Sequence, residues 1–310
     1  MAQVVQVESL SRSFGETTAL DSISFSVEEG EIFGLVGPDG AGKTTCLRIL
    51  CGLMAPSSGR VTVLDQDMVL DPEPAKDRIG YMAQPARLYE ELSVAENIRF
   101  YADIHEVPPE RYRERMNRLL EFSGLTPFTG RLFRNLSGGM KQKVGLTCAL
   151  IHTPRVLFLD EPTNGVDPVS RRDFWKILYE LRREKVTIVV ASTYLDEVDR
   201  CHRVALFDKG KIRLLMAPPD MRSLITGHLF NLIVPDRQRA LKVLRSVPLV
   251  IRSSVFGTGI HFTTRKESDV AEVEKSLLSA GLVSFEVKPI TPTLEDVYLS
   301  LILSKEEVEA

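Results

Sequence analysis

The apolar positions of this chain change period along its length. Val4–Glu8, Ile23–Val27, Glu31–Val36, Val61–Val63, Ile79–Met82, Val156–Leu159, Thr187–Ala191 and Arg203–Phe207 are patterned as strands. Several are unbroken apolar runs, which suits a sheet buried on both faces. Between them the period lengthens: Phe174, Ile177, Leu178 and Leu181 stand at i, i+3, i+4 and i+7 and predict an amphipathic helix. This alternation predicts an α/β fold with parallel strands. From Pro85 to Cys148 the pattern is helical, as in YRERMNRLLEFSGL, and predicts a helical insertion between two sheet strands. Met216-Ala-Pro-Pro-Asp-Met221 punctuates the chain, and the pattern then restarts. A strand at Leu229–Val234, a helix at Arg237–Val247, two strands around Val250–Thr264, a helix at Ser268–Ala280, a strand at Val283–Val287 and a helix at Leu294–Leu303 follow. Two domains are therefore expected: residues 1–220, with a helical subdomain at about 85–150, and a small α+β domain at 221–310.

Composition narrows the picture. The chain has 310 residues, 44% hydrophobic and 26% charged, which excludes a disordered or fibrous protein. A net charge of -3 offers no whole-chain attraction to nucleic acid, which is not expected as a partner. Apolar runs such as Val186–Ala191 fall far short of the ~20 residues a membrane helix needs. The first residues, MAQVVQVESLSRSF, lack the charged and apolar regions of a signal peptide. A cytoplasmic protein is expected, with any membrane spanning left to another chain. Cys46, Cys51, Cys148 and Cys201 form no CxxC pair, and the first three sit among apolar residues as buried thiols. The histidines are scattered without ligand spacing, so no protein-held transition metal is expected.

The first chemical motif is Gly37-Pro38-Asp39-Gly40-Ala41-Gly42-Lys43-Thr44, a GxxxxGK[ST] loop. It follows the strand Glu31–Val36 and opens a helix expected over Thr44–Leu53, the context a phosphate-binding loop requires. Glycines let backbone N–H groups turn toward phosphate oxygens, and the helix start adds its positive dipole end. Lys43 supplies a cation for the β- and γ-phosphates, and the Thr44 hydroxyl is a ligand for Mg²⁺. The second motif is the apolar run Val156–Leu159 ending in Asp160 and Glu161. Strand ends of this kind face the ligand crevice of open α/β sheets. Asp160 would hold Mg²⁺, directly or through water, and Glu161 would orient the attacking water, because phosphoryl transfer depends on positioning and charge. Taken alone, such a pair is also what a solvated strand end looks like.

The third motif is Leu136-Ser137-Gly138-Gly139-Met140-Lys141-Gln142 before an apolar helix. It is either an N-capped helix start or a second phosphate grip. A chain that already has one phosphate loop would use the second grip on a nucleotide held by another chain.

GPDGAGKTT, the glutamine of Gly80-Tyr-Met-Ala-Gln84, LSGGMKQ, LFLDEPTNGVDP and STYLDE occur in one order. With these motifs the chain resembles the nucleotide-binding subunits of ABC transporters over residues 1–220, and more loosely over its tail through Pro292-Thr-Leu-Glu-Asp-Val-Tyr298. The wording is most similar to bacterial multidrug or antibiotic exporters with a separate permease, as in the first ATPase half of YbhF-type subunits. The resemblance implies a P-loop NTPase core with ATP and Mg²⁺ as its ligands, working as a dimer on the inner face of the cell membrane. It implies that Gly37–Thr44 and Thr45 cradle ATP, and that Phe14 stacks on adenine, although a core aromatic is the plain alternative. Gln84 would sense Mg²⁺ and the attacking water; Ser137, Gly138 and Gly139 would grip the opposite subunit's γ-phosphate. Asp167 would stand in the loop crossing the dimer interface, and the stretch Ala86–Asn97 would receive the permease. A permease-free soluble ATPase and an import ATPase are the alternatives; the first usually has two ATPase halves or long insertions, the second a different tail. The transported substrate is expected to contact the permease and leaves no trace here.

Two positions depart from the family pattern. Asp39 replaces the usual asparagine, which places an extra carboxylate near a triphosphate. Thr193 stands where the family has a histidine that contacts the γ-phosphate. Threonine is shorter and uncharged, so slower turnover, or pairing with a non-identical ATPase, is expected.

Overall fold

The computed structural model describes residues 2–86 and 88–306, by backbone alone at 196, 198 and 301–306. Arg87, inside the stretch expected to meet a permease, lies outside the described residues. The chain divides into two compact units, Met1–Pro218 and Pro219–Ala310.

The strands of the first unit are β1 (Gln3–Phe14), β2 (Thr17–Glu28), β3 (Ile32–Val36), β4 (Ser58–Val63), β5 (Gln66–Asp67), β6 (Ile79–Met82), β7 (Val156–Asp160), β8 (Thr187–Ser192), β9 (Arg203–Asp208) and β10 (Lys211–Met216). They form two sheets. One has the order β10-β9-β3-β8-β7-β6, parallel from β9 to β6, with β10 antiparallel at its edge. Every residue of β3, β7 and β8 is buried, as their unbroken apolar runs require of a sheet covered on both faces.

The other sheet corrects the sequence reading. Val4–Glu8, Ile23–Val27 and Val61–Val63 are not parallel neighbours of β3. They lie in an antiparallel sheet of order β2-β1-β4-β5. β1 and β2 also run to 12 residues each, because their outer ends alternate or are polar and so lack an unbroken apolar signal. The short β5 and the edge strand β10, whose residues are at most half-buried, were not predicted.

The helices of this unit are α1 (Lys43–Leu50), α2 (Glu73–Lys76), α3 (Val94–Ile104), α4 (Pro109–Ser123), α5 (Gly138–Leu150) and α6 (Pro168–Arg183). α1 is shorter than predicted: it stops at the C-cap Cys51, and Gly52 follows with φ +66°. Its buried Leu47 and Leu50 join Val5, Leu10, Val61, Phe33, Phe158 and Val189 in one core between the two sheets. Phe25 of β2 stacks on Phe33 of β3 at 5.3 Å. Each fully buried side chain of this size contributes about 1.5–3 kcal/mol, so this layer anchors the loop that precedes α1. α6 buries Phe174, Ile177, Leu178 and Leu181 as its period predicts, together with Trp175.

α3, α4 and α5 form the helical insertion. They share a core of Val94, Ile98, Ala102, Leu120, Val144 and Cys148. α3 starts with a reciprocal cap, Ser93 N–H to Glu96 Oε2 (2.8 Å) and Glu96 N–H to Ser93 Oγ (3.2 Å). Buried Asn97 donates to the carbonyls of Tyr89, Leu92 and Ser93 and accepts from Tyr89 N–H, pinning the loop ahead of the helix.

α7 (Pro218–Arg222) begins at the division between the units. Beyond it lie β11 (His228–Ile233), α8 (Arg237–Ser246), β12 (Val250–Phe256), β13 (Gly259–Thr264), α9 (Val270–Ser279), β14 (Glu286–Pro289) and α10 (Leu294–Glu306). The strands form an antiparallel sheet of order β12-β13-β11-β14. The last strand lies three residues later than the expected Val283–Val287, and Val283 is exposed. Phe230, Leu232, Ile260 and Phe262 of the sheet pack with Ala240 and Leu244 of α8 and Val273 and Leu277 of α9. No described helix in either unit is long and apolar enough to cross a membrane.

Candidate functional site

Lys43, Thr44, Asp160, Glu161 and Thr193, among the residues singled out in the sequence, gather at the carboxyl ends of β3, β7 and β8. Parallel pairing sets this up: β3 pairs with β8 and β8 with β7, so the three chain ends leave the sheet side by side. The loop after β3 needs glycine for want of space. A Cβ on Gly37 would stand 2.2 Å from the Phe207 carbonyl oxygen, and one on Gly42 would stand 2.4 Å from that of Ala19. Pro38, Asp39 and Gly40 are exposed, whereas Ala41 and Lys43 are buried; Gly42, Thr44 and Thr45 lie between. Gly42 is the N-cap of α1, so the loop ends on the dipole-positive end of that helix.

Lys43 is 5% exposed. Its ammonium donates to the carbonyls of Gly37 (2.8 Å) and Pro38 (3.0 Å) and lies 3.3 Å from Glu161 Oε1. A buried cation is stable only when so surrounded. The Thr44 hydroxyl donates to Asp160 Oδ1 at 2.8 Å, and Asp160 Oδ2 accepts from Tyr81 at 3.4 Å. Burial pushes the Asp160 carboxyl above its ordinary range, with Thr44, Arg48, Tyr81 and Lys43 pulling it back.

Glu161 leaves the strand in a left-handed conformation, φ +48°, which a non-glycine residue keeps only when its surroundings hold it. Its N–H donates to the Ala191 carbonyl at 3.0 Å. Thr193 holds its side chain: both the N–H (3.0 Å) and the hydroxyl (3.2 Å) donate to Oε2. Oε1 is buried without a hydrogen bond. Burial raises the Glu161 pKa, against the opposing pull of Lys43 and of the Thr193 donors.

The other singled-out residues stand apart from this cluster. Phe14 ends β1, is 45% exposed, and has the Arg12 guanidinium 4.6 Å over its ring. Gln84 is exposed just after β6, and among the described residues no hydrogen bond joins it to Asp160 or Glu161. Ser137 is the N-cap of α5, accepting from Met140 N–H at 3.3 Å. Gly138 is exposed, while a Cβ on Gly139 would stand 2.7 Å from that of Ser170 on α6. Asp167 caps α6, accepting from the N–H groups of Val169 (3.1 Å) and Ser170 (2.9 Å), and bonds to Ser170 hold its carboxyl below the usual range.

Sequence reasoning missed a buried carboxylate behind the cluster. Glu197, 1% exposed, accepts from the hydroxyls of Thr163 (2.5 Å) and Ser192 (2.9 Å). A glutamate four residues past Thr193 in a polar phrase looks solvated, and nothing local signals that it folds inward.

Residues 20–164 match the family described as ABC transporter. Over 307 residues the chain is 37% identical to the probable multidrug ABC transporter ATP-binding protein YbhF of Escherichia coli (strain K12), covering 96% of this chain and 52% of that protein. It is 32% identical to the daunorubicin resistance ATP-binding protein DrrA2 of Streptomyces coeruleorubidus, over 96% of this chain and 94% of that one. The chain thus spans about half the length of YbhF and nearly all of DrrA2. Among solved structures, CbiO1 from Clostridium perfringens, part of the ABC transporter complex cbiONQ, aligns with a TM-score of 0.66 at 26% identity, covering 80% of this chain and 97% of that one.

Proposed function

The chain belongs to the ATP-binding proteins of ABC transporters, and from that membership we propose that it binds and hydrolyses ATP to power export of a drug or other small amphiphile through a separate permease. The convergence of Lys43, Thr44, Asp160, Glu161 and Thr193 at three adjacent strand ends is the observation that carries this proposal. The resistance-type names of two relatives support the export direction.

ATP lies with its phosphates along Gly37–Thr45, where Lys43 exchanges loop carbonyls for phosphate oxygens. Thr44 Oγ1 and Asp160 Oδ1 already meet at 2.8 Å, and hard oxygen donors of this kind fit Mg²⁺, with Gln84 joining them. When bound, Mg²⁺ neutralises charge on the β- and γ-phosphates. Glu161 orients the attacking water. Thr193 occupies Oε2, so Oε1 accepts from that water once Lys43, 3.3 Å away, turns to the phosphates. Thr193 steadies the glutamate and supplies no cation to the γ-phosphate, so turnover per site is slow.

A second ATPase subunit, a copy of this chain or a non-identical partner, closes the site. Ser137, Gly138 and Gly139 of one subunit meet the γ-phosphate held by the other, with Asp167 at the crossing. The exposure of Phe14 supports stacking on adenine. The pinned loop before α3 and the residues around 86–97 dock the permease, holding the protein at the inner face of the membrane. The unit Pro219–Ala310 is an accessory domain for dimer stability or permease docking.

The test is ATP turnover by the purified full chain, ATP-dependent dimerisation in gel filtration, and co-purification from membranes with a permease. Turnover and dimers that appear only with ATP are expected. A chain that hydrolyses ATP while staying monomeric overturns the shared-nucleotide scheme.

A further inference from the structure

The site described above orients Glu161 through Thr193, and this raises the question of what orients Thr193. It follows β8 in an irregular turn, Ser192–Tyr194, and its donors reach Glu161 only if that turn keeps its shape. Glu197 lies behind the turn. Its Oε2 accepts from the Ser192 hydroxyl at 2.9 Å, and Ser192 Oγ in turn accepts from Tyr194 N–H at 3.0 Å. These two bonds hold the residues on either side of Thr193. Its Oε1 accepts from the hydroxyl of Thr163 at 2.5 Å, two residues past Glu161. One carboxylate therefore ties together the segment that carries Glu161 and the segment that carries Thr193.

The surroundings make this brace stiff. At 1% exposure no water can substitute for a lost hydroxyl, so each bond costs the full desolvation of its acceptor when broken. Arg171, in the second turn of α6, has its Nε 3.7 Å from Glu197 Oε1, and its guanidinium lies 4.0 Å over the Tyr194 ring. Tyr194 OH reaches Asn164 Oδ1 at 3.4 Å. The brace thus also joins the Thr163–Asn164 loop leading to Asp167.

We propose that Glu197 is a positioning residue for ATP hydrolysis: it holds Thr193 and Glu161 in register and sets turnover, with little influence on nucleotide affinity. The proposal rests on the ATPase reading of the site. Displacing a positioned group by about 1 Å costs as much as a hundredfold in rate, so the brace has ample leverage.

The test is a double-mutant cycle on the purified full chain. Glu197→Gln keeps the side chain's shape but leaves only one oxygen for two hydroxyl donors. A fall in kcat of about ten- to a hundredfold is expected, with KM changed less than about threefold. Thr193→Val removes one donor to Glu161. If Glu197 acts through that donor, the double variant loses much less than the product of the two single losses, whereas a purely structural role makes the losses multiply. Thr163→Val and Ser192→Ala each delete one bond to Glu197 and carry the same test should Glu197→Gln fail to fold. Multiplicative losses, an unchanged kcat, or parallel changes in kcat and KM overturn the proposal. A wild-type chain without ATP turnover instead overturns the ATPase reading beneath it.

Discussion

Two carboxylates, one in each unit, are equally hidden and differently served. Glu161 is 5% exposed and Asp296 is 7% exposed. Asp296 has its oxygens filled: Oδ1 meets His261 Nδ1 at 2.7 Å, and Oδ2 accepts from the N–H (2.8 Å) and hydroxyl (2.6 Å) of Thr293. Its own N–H returns to the Thr293 hydroxyl at 3.2 Å, so the group starts α10 and ties it to β13. Glu161 Oε1 faces only the Lys43 ammonium, 3.3 Å away, and the residue sits on left-handed backbone with burial pushing it toward its protonated form. A fully satisfied buried acid stabilises its surroundings. One held on left-handed backbone, with one oxygen engaged only by a cation, is placed to act on something else.

The contrast can be broken most directly at Glu161. Glu161→Gln should lower turnover by about 10²- to 10⁴-fold, the usual worth of a general base, and trap an ATP-bound dimer visible in gel filtration. The stability of the same variant relative to the wild type should also rise with pH, whatever the loss of the Lys43 pair costs at every pH. A raised folded-state pKa contributes stability that is present at low pH and lost as pH rises through it, and the amide does not ionise. Thermal melts should therefore show Glu161→Gln gaining on the wild type from acid to neutral pH; a variant that loses ground would remove the idea of a strained acid.

Asp296→Ala should do the reverse, destabilising the Pro219–Ala310 unit by about 1–3 kcal/mol by stripping His261 and Thr293 of their acceptor. Denaturant unfolding followed by a probe in that unit would measure it. Thr193→Val should lower kcat about tenfold, since it deletes one hydrogen bond to a charged group. An unchanged rate would deny Thr193 any part in the chemistry. The smallest effect is on pH dependence. The acid limb of kcat should lie above the ordinary glutamate range. It should move higher still in Thr193→Val, because the Thr193 hydroxyl is one of the groups lowering the Glu161 pKa.

Much of this was legible before any coordinates. GPDGAGKT after an apolar strand, and Asp160-Glu161 at the end of another, are local patterns whose chemistry depends on residue type and spacing. The parallel strands were legible for the same reason, since burial on both faces writes itself as an unbroken apolar run. The antiparallel sheet was only half legible. The outer ends of β1 and β2 are polar, and the pairing of β1 with β4 joins residues more than 40 positions apart. The late start of β14 was not legible, because Val283 is apolar yet exposed.

The order of residues along the chain settled which atoms are available: a lysine, a threonine, two acids and a threonine at three strand ends. Local spacing dictates strand, loop and helix, and these in turn demand glycine, hydroxyl or carboxylate at particular steps. Which oxygen of Glu161 is taken and which is left, and that Glu197 folds inward to brace it, depended on β7 and β8 lying side by side. Thr163, Ser192 and Glu197 span 34 positions of sequence, and no local period encodes a hydrogen bond over that separation. It exists because parallel pairing brings two loops to the same end of one sheet, where burial drives their hydroxyl and carboxylate groups to satisfy one another.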